Sequence, residues 1–282
     1  MIIDFHTHTF PAKASKKIVD SLAQKSLTVP FTNGSNQDLI ESMKKANITY
    51  SVNLPVMTNT EQCEKLNKKF IEQKDELFKQ GIIQFGGMHP DYTDYKEILD
   101  LLKENGIKGI KLHPAYQNIS LSDPKFLDII SYADSLGLII ITHAGWDIGI
   151  YDKNYCSVDD VLKVYNTIHP KKFVLAHMGN WAAWDEVEEK LCGLPIYFDT
   201  AFSLGKIYEL EQYKGQCPWK SNLNNEDFIR IIRKHGVNKI LFATDSPWAD
   251  QKEYVDIIQT MNLSQEEKDC ILYKNALNLL EL

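Results

Sequence analysis

Short apolar runs rich in β-branched residues alternate along the chain with longer stretches of amphipathic pattern. Eight of these runs are almost continuously apolar, which is typical of parallel strands whose two faces are both covered. They are MIIDFH (1–6), TYSVNLP (49–55), GIIQFGGMH (81–89), IKGIKLH (107–113), LGLIIITH (136–143), KFVLAHM (172–178), LPIYFDT (194–200) and NKILFATD (238–245). The pattern therefore predicts eight strands separated by helices.

The segments between the runs carry helix start and stop signals. TDYKEILDLLKENG is predicted to begin at a Thr93 cap, and SDPKFLDIISYADSLG at a Ser122 cap, each ending at a glycine. A further helix is predicted from 225 to 236. Ser264 and Glu267 have the spacing of a capping box at the start of the last helix.

This alternation favours a single (β/α)8 TIM barrel that spans residues 1–282. Eight strand and helix units fit the length of the chain, and no Gly/Ser-rich linker divides it. A doubly wound open sheet has the same rhythm, but it usually carries a glycine-rich phosphate loop after its first strand. The corresponding segment here, HTHTFPAK, is no such loop.

Composition narrows the classes of partner. The formal net charge is -7, so we expect no nucleic-acid binding. Polar residues interrupt the first run, which argues against a signal peptide, and no apolar run is long enough to cross a bilayer. We therefore expect a soluble, cytoplasmic protein with no membrane partner. The five cysteines lack metal-ligand spacing and are expected to be reduced thiols.

Polar residues that can bind a metal ion or transfer a proton lie at the carboxyl ends of the predicted strands. In a barrel these ends meet at one face, where active sites are built. Six of the eight histidines occupy such positions. The strand-end residues are His6, His8, His89, Lys111, His113, His143, His177, Asp199 and Asp245.

His6 and His8 are two residues apart on a strand, so both side chains should point to the same place. Imidazole and carboxylate without cysteine suit zinc and similar divalent ions in an open site. We therefore predict a metal site that contains this pair together with His143, His177 and Asp245. Four more strand-end residues are expected either to contact substrate or to be merely polar: His89, Lys111, His113 and Asp199.

All five tryptophans follow strands rather than precede them. On that rim, aromatic rings such as those of Trp146 and Trp248 could bind a planar or apolar substrate, or they could attach loops to helices. The segment between 200 and 227 is long for a loop between a strand and a helix. It is expected to form a lid or a small insertion.

Five motifs in order resemble the amidohydrolase superfamily: DFHTH, GIKLHP, ITHAG, LAHMGN and FATDSPW. The strongest resemblance is to its amidohydrolase-related branch, which includes the aminocarboxymuconate-semialdehyde decarboxylase-like enzymes. It covers nearly the whole chain. GGMHP also resembles a motif of the TatD-type nucleases of the same superfamily.

The resemblance implies that His6, His8, His143 and Asp245 bind a divalent metal, with zinc expected, and that Asp245 takes a proton from water. In relatives with one ion, the residue that matches His177 holds or polarises water or substrate; in relatives with two ions, it binds the second ion. Lys111 matches the position of a bridging carboxylated lysine, although many relatives use a basic residue there only for substrate. The number of ions, one or two, therefore stays open.

The leading functional hypothesis is metal-dependent hydrolysis of a small-molecule amide, ester or lactone, with Asp245 as general base and His177 stabilising the oxyanion. The main alternative is metal-dependent, non-oxidative decarboxylation of an aromatic or unsaturated carboxylic acid. A PHP-type phosphoesterase and a metal-binding protein without catalysis rank lower. Barrels of this kind often form homodimers, but the sequence identifies no interface.

Overall fold

The computed structural model describes residues 1–219 and 222–282. Nine β segments occupy the eight predicted strand positions, because the third strand is split in two at Phe85. The segments are β1 (Ile3–Thr7), β2 (Tyr50–Asn53), β3 (Ile82–Gln84), β4 (Gly86–Gly87), β5 (Gly109–Leu112), β6 (Ile139–Thr142), β7 (Phe173–Leu175), β8 (Tyr197–Asp199) and β9 (Ile240–Leu241).

Helices follow the strands on the outside. They are α1 (Ser15–Ser26), α2 (Asn36–Ala46), α3 (Glu61–Lys79), α4 (Tyr95–Glu104), α5 (Pro114–Gln117), α6 (Pro124–Ser135), α7 (Val158–Ile168), α8 (Trp184–Lys190), α9 (Asn225–His235), α10 (Gln251–Thr260), α11 (Gln265–Asp269) and α12 (Asn275–Leu280). A π-helical turn at Cys270–Lys274 joins α11 to α12. No helix in the described ranges has the length and apolar character of a membrane span.

The strands form a closed parallel barrel, which confirms the predicted (β/α)8 fold. The segments pair in the order β1-β2-β3 and β4-β5-β6-β7-β8-β9. The ring closes where residues after β9 meet β1: the Phe5 N–H donates to the Phe242 carbonyl over 2.8 Å. Nearer the carboxyl end, the Asp245 N–H donates to the His6 carbonyl, also over 2.8 Å.

Alternating side chains divide the core into two layers. A smaller apolar cluster fills the barrel interior and includes Phe5, Phe85 and Ile141. It also contains Leu279 and Leu280 of α12, so the closing helix contributes to the interior. The larger cluster lies between the strands and the outer helices and takes the opposite residues of the same strands, such as Ile110 and Ile140.

The predicted helix starts were partly wrong. The N-caps of α4 and α6 are Asp94 and Asp123, one residue after the predicted Thr93 and Ser122. The Ser122 hydroxyl donates to an Asp160 carboxylate oxygen over 2.6 Å, while the Asp123 side chain accepts from the Lys125 N–H and caps α6. The capping box at the start of α11 is confirmed.

A close approach between two loops fixes the backbone beside the carboxyl-end face. Gly145 has φ +95°, and a Cβ atom there would lie 2.2 Å from the Trp181 backbone nitrogen. The Trp181 N–H donates to the Ala144 carbonyl over 2.9 Å, so the two backbones are held together. Only glycine fits both the conformation and the space.

We expect Gly145→Ala to lower the free energy of unfolding by at least about 4 kcal/mol, because it adds a backbone clash to an unfavourable left-handed conformation. Chemical denaturation would measure this. Gly106→Ala is the matched control, since Gly106 also has positive φ but meets nothing within 4 Å. A loss of about 1 kcal/mol is expected for the control, and equal losses in both variants would contradict the clash.

His235, at the end of α9, is a structural histidine. Its Nδ1 accepts a hydrogen bond from the Gly193 N–H over 3.2 Å, so its Nε2–H donates to the Ile196 carbonyl at 2.9 Å. The ring stacks on Phe198 with centroids 3.8 Å apart. Burial lowers the pKa of His235 to about 4, because the charged form loses its hydration.

This pKa predicts a contribution to stability that is lost in acid. Since the folded pKa lies below the unfolded value, the unfolded chain binds more protons as pH falls from about 6.5 to about 4. His235→Gln keeps both hydrogen-bonding functions without the charge. We expect the stability of the parent relative to this variant to fall by about 3 kcal/mol over that interval. Parallel profiles for the parent and His235→Gln would contradict the assignment.

Candidate metal centre and active site

His6, His8 and Asp245 converge at the seam where the barrel closes. The Nε2 atoms of the two imidazoles lie 3.1 Å apart. Asp245 Oδ1 lies 3.4 Å from His6 Nε2 and 3.1 Å from His8 Nε2. The pairing register of β1 shifts between Asp4 and Thr7, a local irregularity in the strand just where His6 lies.

The hydrogen bonds of the two imidazoles determine which ring nitrogen carries the proton. His6 Nδ1 lies 2.8 Å from Asp199 Oδ2, and His8 Nδ1 lies 2.6 Å from the Leu54 carbonyl oxygen. The Leu54 carbonyl and the ionised Asp199 carboxylate are acceptors, so in the neutral imidazoles both Nδ1 atoms donate and both Nε2 atoms carry lone pairs. Burial also lowers the pKa of His6 well below its usual range, which keeps it neutral.

Three electron-pair donors therefore meet within 3.4 Å of one another. Two imidazole nitrogens and a carboxylate oxygen fit a divalent ion, since a tetrahedral zinc ion places its ligand atoms about 3.4 Å apart. The residues present thus suit the ion that the resemblance implies.

Asp199 was expected to contact substrate or to be merely polar, but it is fully buried and positions two histidines. Its Oδ2 accepts from His6, and its Oδ1 accepts from the backbone N–H groups of His177 and Ala201. Burial raises the pKa of Asp199 to about 7, while the positive charge of Lys111 opposes the shift. The carboxylate connects β8 to His6 within β1 and to His177 after β7.

Two site residues have left-handed backbone conformations. Asp245 has φ +70°, and His177 has φ +61°. Such conformations are uncommon outside glycine and store strain that the surrounding fold must hold. For Asp245, the backbone hydrogen bond to His6 supplies part of that support.

His143 and His177 form a second pair of imidazoles, 3.0 Å apart between His143 Nδ1 and His177 Nε2. The Nδ1–H of His177 donates to the Ala201 carbonyl over 2.8 Å, so its Nε2 carries a lone pair. Burial lowers the pKa of His177 to about 4 and that of His143 well below its usual range. His143 does not belong to the close group formed by His6, His8 and Asp245.

Lys111 lies inside the barrel below these histidines. Its side chain is 1% exposed, and its Nζ lies 3.2 Å from His6 Nε2. Burial lowers the pKa of Lys111 to about 8, opposed by the nearby carboxylates of Asp199 and Asp245. The ammonium form therefore predominates at neutral pH.

A cavity of about 1410 Å³ opens from the centre. His8, His113, His143, His177 and Asp245 line its inner end. Its apolar wall includes Phe10, Trp146, Trp181, Phe202 and Trp248. Three of the five tryptophans thus face the same space as the histidines, whereas Trp184 and Trp219 are not among the lining residues.

Other predicted residues have different surroundings. His89 is not among the residues that line the cavity; its Nδ1 accepts from the Asp91 N–H over 3.2 Å.

The segment after β8 pairs with the loop after α1, where the Val29 N–H donates to the Tyr208 carbonyl. The predicted lid includes Lys220 and Ser221, which lie outside the described residues.

Two cavity residues, Asp147 and Tyr116, were missed from the sequence. Asp147 lies after the end of β6 and is 7% exposed, and its Oδ2 lies 3.7 Å from His113 Nε2. The sequence signal is THAGWD, in which Asp147 lies four residues after His143, in the loop and not at the end of the predicted strand.

The family profile described as "Amidohydrolase" matches residues 3–282. The chain belongs to the amidohydrolase family. It is accordingly an enzyme of the amidohydrolase superfamily whose chemistry depends on a divalent metal ion. A search of curated proteins finds no match.

Solved structures share the fold of this amidohydrolase at low sequence identity. An uncharacterized TIM-barrel protein from Bordetella bronchiseptica has a TM-score of 0.75 at 18% identity, covering 99% of this chain and 98% of its own. The 5-carboxyvanillate decarboxylase from Sphingomonas paucimobilis has a TM-score of 0.69 at 12% identity, and the match covers 100% of this chain and 99% of that one. A dihydroxybenzoic acid decarboxylase from Polaromonas sp. JS666 was solved with bound manganese and the inhibitor 2-nitroresorcinol. It has a TM-score of 0.70 at 14% identity, and the match covers 100% of this chain and 97% of that one.

We expect Asp199→Asn to weaken binding of a divalent ion by about 10- to 100-fold, because the Nδ1–H of His6 then loses its anionic partner. Equilibrium dialysis against zinc would measure the affinity. Asp75→Asn, on the exposed side of α3, is the control and should bind as the parent does. An unchanged affinity in Asp199→Asn would show that this carboxylate does not position His6 for an ion.

Proposed function

We propose that this protein hydrolyses a small-molecule ester, lactone or amide with a divalent ion, zinc in the first instance, held by His6, His8 and Asp245. The observation that supports this most is the convergence of two Nε2 lone pairs and one carboxylate oxygen at the inner end of a large cavity. When bound there, the ion would polarise a carbonyl group and lower the pKa of water.

Asp245 is the group best placed to accept the proton of the attacking water. Its Oδ1 faces the two imidazoles, while its Oδ2 has no hydrogen-bond partner among the described residues. The side chain lines the cavity, so substrate can reach it. A general base must lie within hydrogen-bond reach of the proton it removes, and this position meets that requirement.

His177 cannot donate a hydrogen bond to the developing oxyanion. It is neutral, its only N–H is used by the Ala201 carbonyl, and its Nε2 lies 3.0 Å from His143 Nδ1. Lys111 has a protonated amine at neutral pH and lies beside His6, but it is 1% exposed and is not among the residues that line the cavity. A divalent ion held at the centre would therefore stabilise the developing negative charge, and we assign to Lys111 an electrostatic contribution beside His6 without contact to substrate.

The second candidate reaction is decarboxylation of an aromatic carboxylic acid. The observation that favours it is the apolar wall of Trp146, Trp181 and Trp248, since planar rings suit a planar substrate. Two structures with this fold are a 5-carboxyvanillate decarboxylase and a dihydroxybenzoic acid decarboxylase. In this reading, a divalent ion at the centre would hold the oxygens of the substrate acid.

Reconstituted protein tested on esters, lactones, amides and hydroxybenzoates would separate the two reactions. Acid release without carbon dioxide supports hydrolysis; carbon dioxide release with loss of the aromatic acid supports decarboxylation. Metal content should be measured on the same samples, with zinc and manganese loaded separately.

Asp245→Asn should lower kcat of the hydrolytic reaction by about 100- to 10,000-fold, because the base is removed while an amide oxygen remains as a ligand. Asparagine tolerates the left-handed conformation at this position, so the fold should be kept. The variant and the parent would be compared at equal metal content. Turnover at the parental rate would exclude Asp245 as the base.

A further inference from the structure

Three polar side chains of the cavity wall lie outside the group proposed to bind the metal ion. His113 follows β5, Tyr116 lies in α5, and Asp147 lies in the loop after β6. All three line the cavity. His113 and Asp147 are each only 7% exposed, so they are more than nine-tenths buried and still belong to the cavity wall.

The turn that starts α5 fixes His113 and the position of its proton. His113 is the N-cap of this helix, and its Nδ1 accepts from the Tyr116 N–H over 3.4 Å. Gln117 holds the turn, since its Oε1 accepts from the His113 N–H over 3.1 Å. The Gln117 Nε2 donates to the carbonyls of Met57 and Met88. Because Nδ1 accepts, Nε2 of the neutral imidazole carries the proton and is a donor.

Asp147 presents a carboxylate oxygen that no group in the described ranges binds. Its Oδ1 accepts from the Gly149 N–H over 2.8 Å, and its carbonyl accepts from the Ile150 N–H over 3.1 Å. Its Oδ2 lies 3.7 Å from His113 Nε2, which is longer than the usual hydrogen bond of about 2.7 to 3.2 Å. Since buried polar groups almost always have a partner, this oxygen and the His113 N–H are suited to a ligand.

The Tyr116 hydroxyl lies beside the same loop. A Cβ atom on Gly149 would lie 3.6 Å from Tyr116 Oη and 3.3 Å from Asp147 Oδ1, so the hydroxyl and the carboxylate flank this glycine. The Tyr116 ring packs edge-on against the His113 ring, with centroids 4.6 Å apart and planes inclined by 78°. The hydroxyl can donate and accept, and it has no hydrogen-bond partner among the described residues.

We propose that His113, Asp147 and Tyr116 form a polar subsite for a neutral group of the substrate that both accepts and donates hydrogen bonds, namely a hydroxyl or a primary amide. The His113 Nε2–H donates to this group, and Asp147 Oδ2 accepts from it. A single oxygen about 2.8 Å from each atom bridges the gap of 3.7 Å between them. The inference rests on the proposed function in one respect, since the group belongs to the substrate that the metal centre acts on.

The two facing atoms disfavour other kinds of group. A substrate carboxylate would meet the carboxylate of Asp147, and an ammonium would meet the N–H of His113. An apolar group would leave both atoms without a partner in a buried site. Sites built to hydrogen-bond a hydroxyl reject analogues that lack it, so the pair would select substrates by this group.

Matched probes that bind zinc test the subsite without requiring turnover. Benzohydroxamic acids, which chelate zinc through the hydroxamate, would carry a hydroxyl, a primary amide or a methyl group at position 3 or 4 of the ring. Isothermal titration calorimetry with the zinc-loaded protein would measure Kd. We expect at least one hydroxyl or amide probe to bind about 10-fold or more tightly than the methyl probe of the same substitution. The tighter of the two polar probes identifies the group.

Variants assign this preference to the subsite. Asp147→Asn turns the facing oxygen into an N–H donor, because Oδ1 stays with the Gly149 N–H. We expect it to remove the preference of about 10-fold while the methyl probes keep their Kd. Tyr116→Phe should reduce the preference by about 3-fold. Asp152→Asn and Tyr151→Phe, at exposed positions of the same loop, are the matched controls and should keep the parental preference.

Equal binding of hydroxyl, amide and methyl probes by the parent, or a preference that survives in Asp147→Asn, would overturn the subsite and leave the metal centre in place. Failure of every probe to bind would overturn the metal centre and the subsite together. A crystal of the parent with the tightest probe gives an answer that does not depend on how the variants fold. A hydroxyl or amide between His113 Nε2 and Asp147 Oδ2 supports the subsite, and any other position of that group refutes it.

Discussion

The metal centre depends on two imidazole lone pairs, on His6 and His8, which the hydrogen bonds of the two rings hold close together. Both Nδ1 atoms are committed as donors, one to a buried carboxylate and the other to a backbone carbonyl, so the Nε2 atoms of His6 and His8 face each other at 3.1 Å. Electron pairs at this distance repel unless a positive charge lies between or beside them, and the Lys111 ammonium, 3.2 Å from His6 Nε2, supplies part of that charge. The site is thus prepared for a cation before one arrives.

This arrangement lies where the barrel closes, so stability and chemistry share the same backbone. Hydrogen bonds between β1 and the residues after β9 bring Asp245 against His6. Asp4, also at this seam, accepts from the backbone and hydroxyl of Thr244 and from Gln251. Any change that loosens the seam therefore also separates the groups proposed as ligands, even when it is remote from substrate.

The sequence could predict the fold, and it could predict which side chains lie at the carboxyl ends of the strands, because both signals are local. Apolar runs mark the strands, and a polar residue at the end of each run must reach the carboxyl-end face. The role of Asp199 could not be predicted in this way, because it comes from a contact across 193 residues with His6. Likewise, Asp147 follows a turn at Gly145 whose direction depends on the Trp181 backbone. The start of α6 differed by one residue because the Asp123 carboxylate, next along the chain from Ser122, accepts the capping hydrogen bond.

The left-handed backbone at Asp245 limits which residues evolution or an engineer can place there. Glutamate would keep the charge, but its longer side chain lacks the local hydrogen bonding that helps aspartate and asparagine adopt this conformation. A residue at this position must therefore supply an oxygen ligand and must also adopt a left-handed backbone conformation. Short acidic and amide side chains pass both tests, so the accessible variants at this corner of the barrel are few, even where the chemistry alone would admit more.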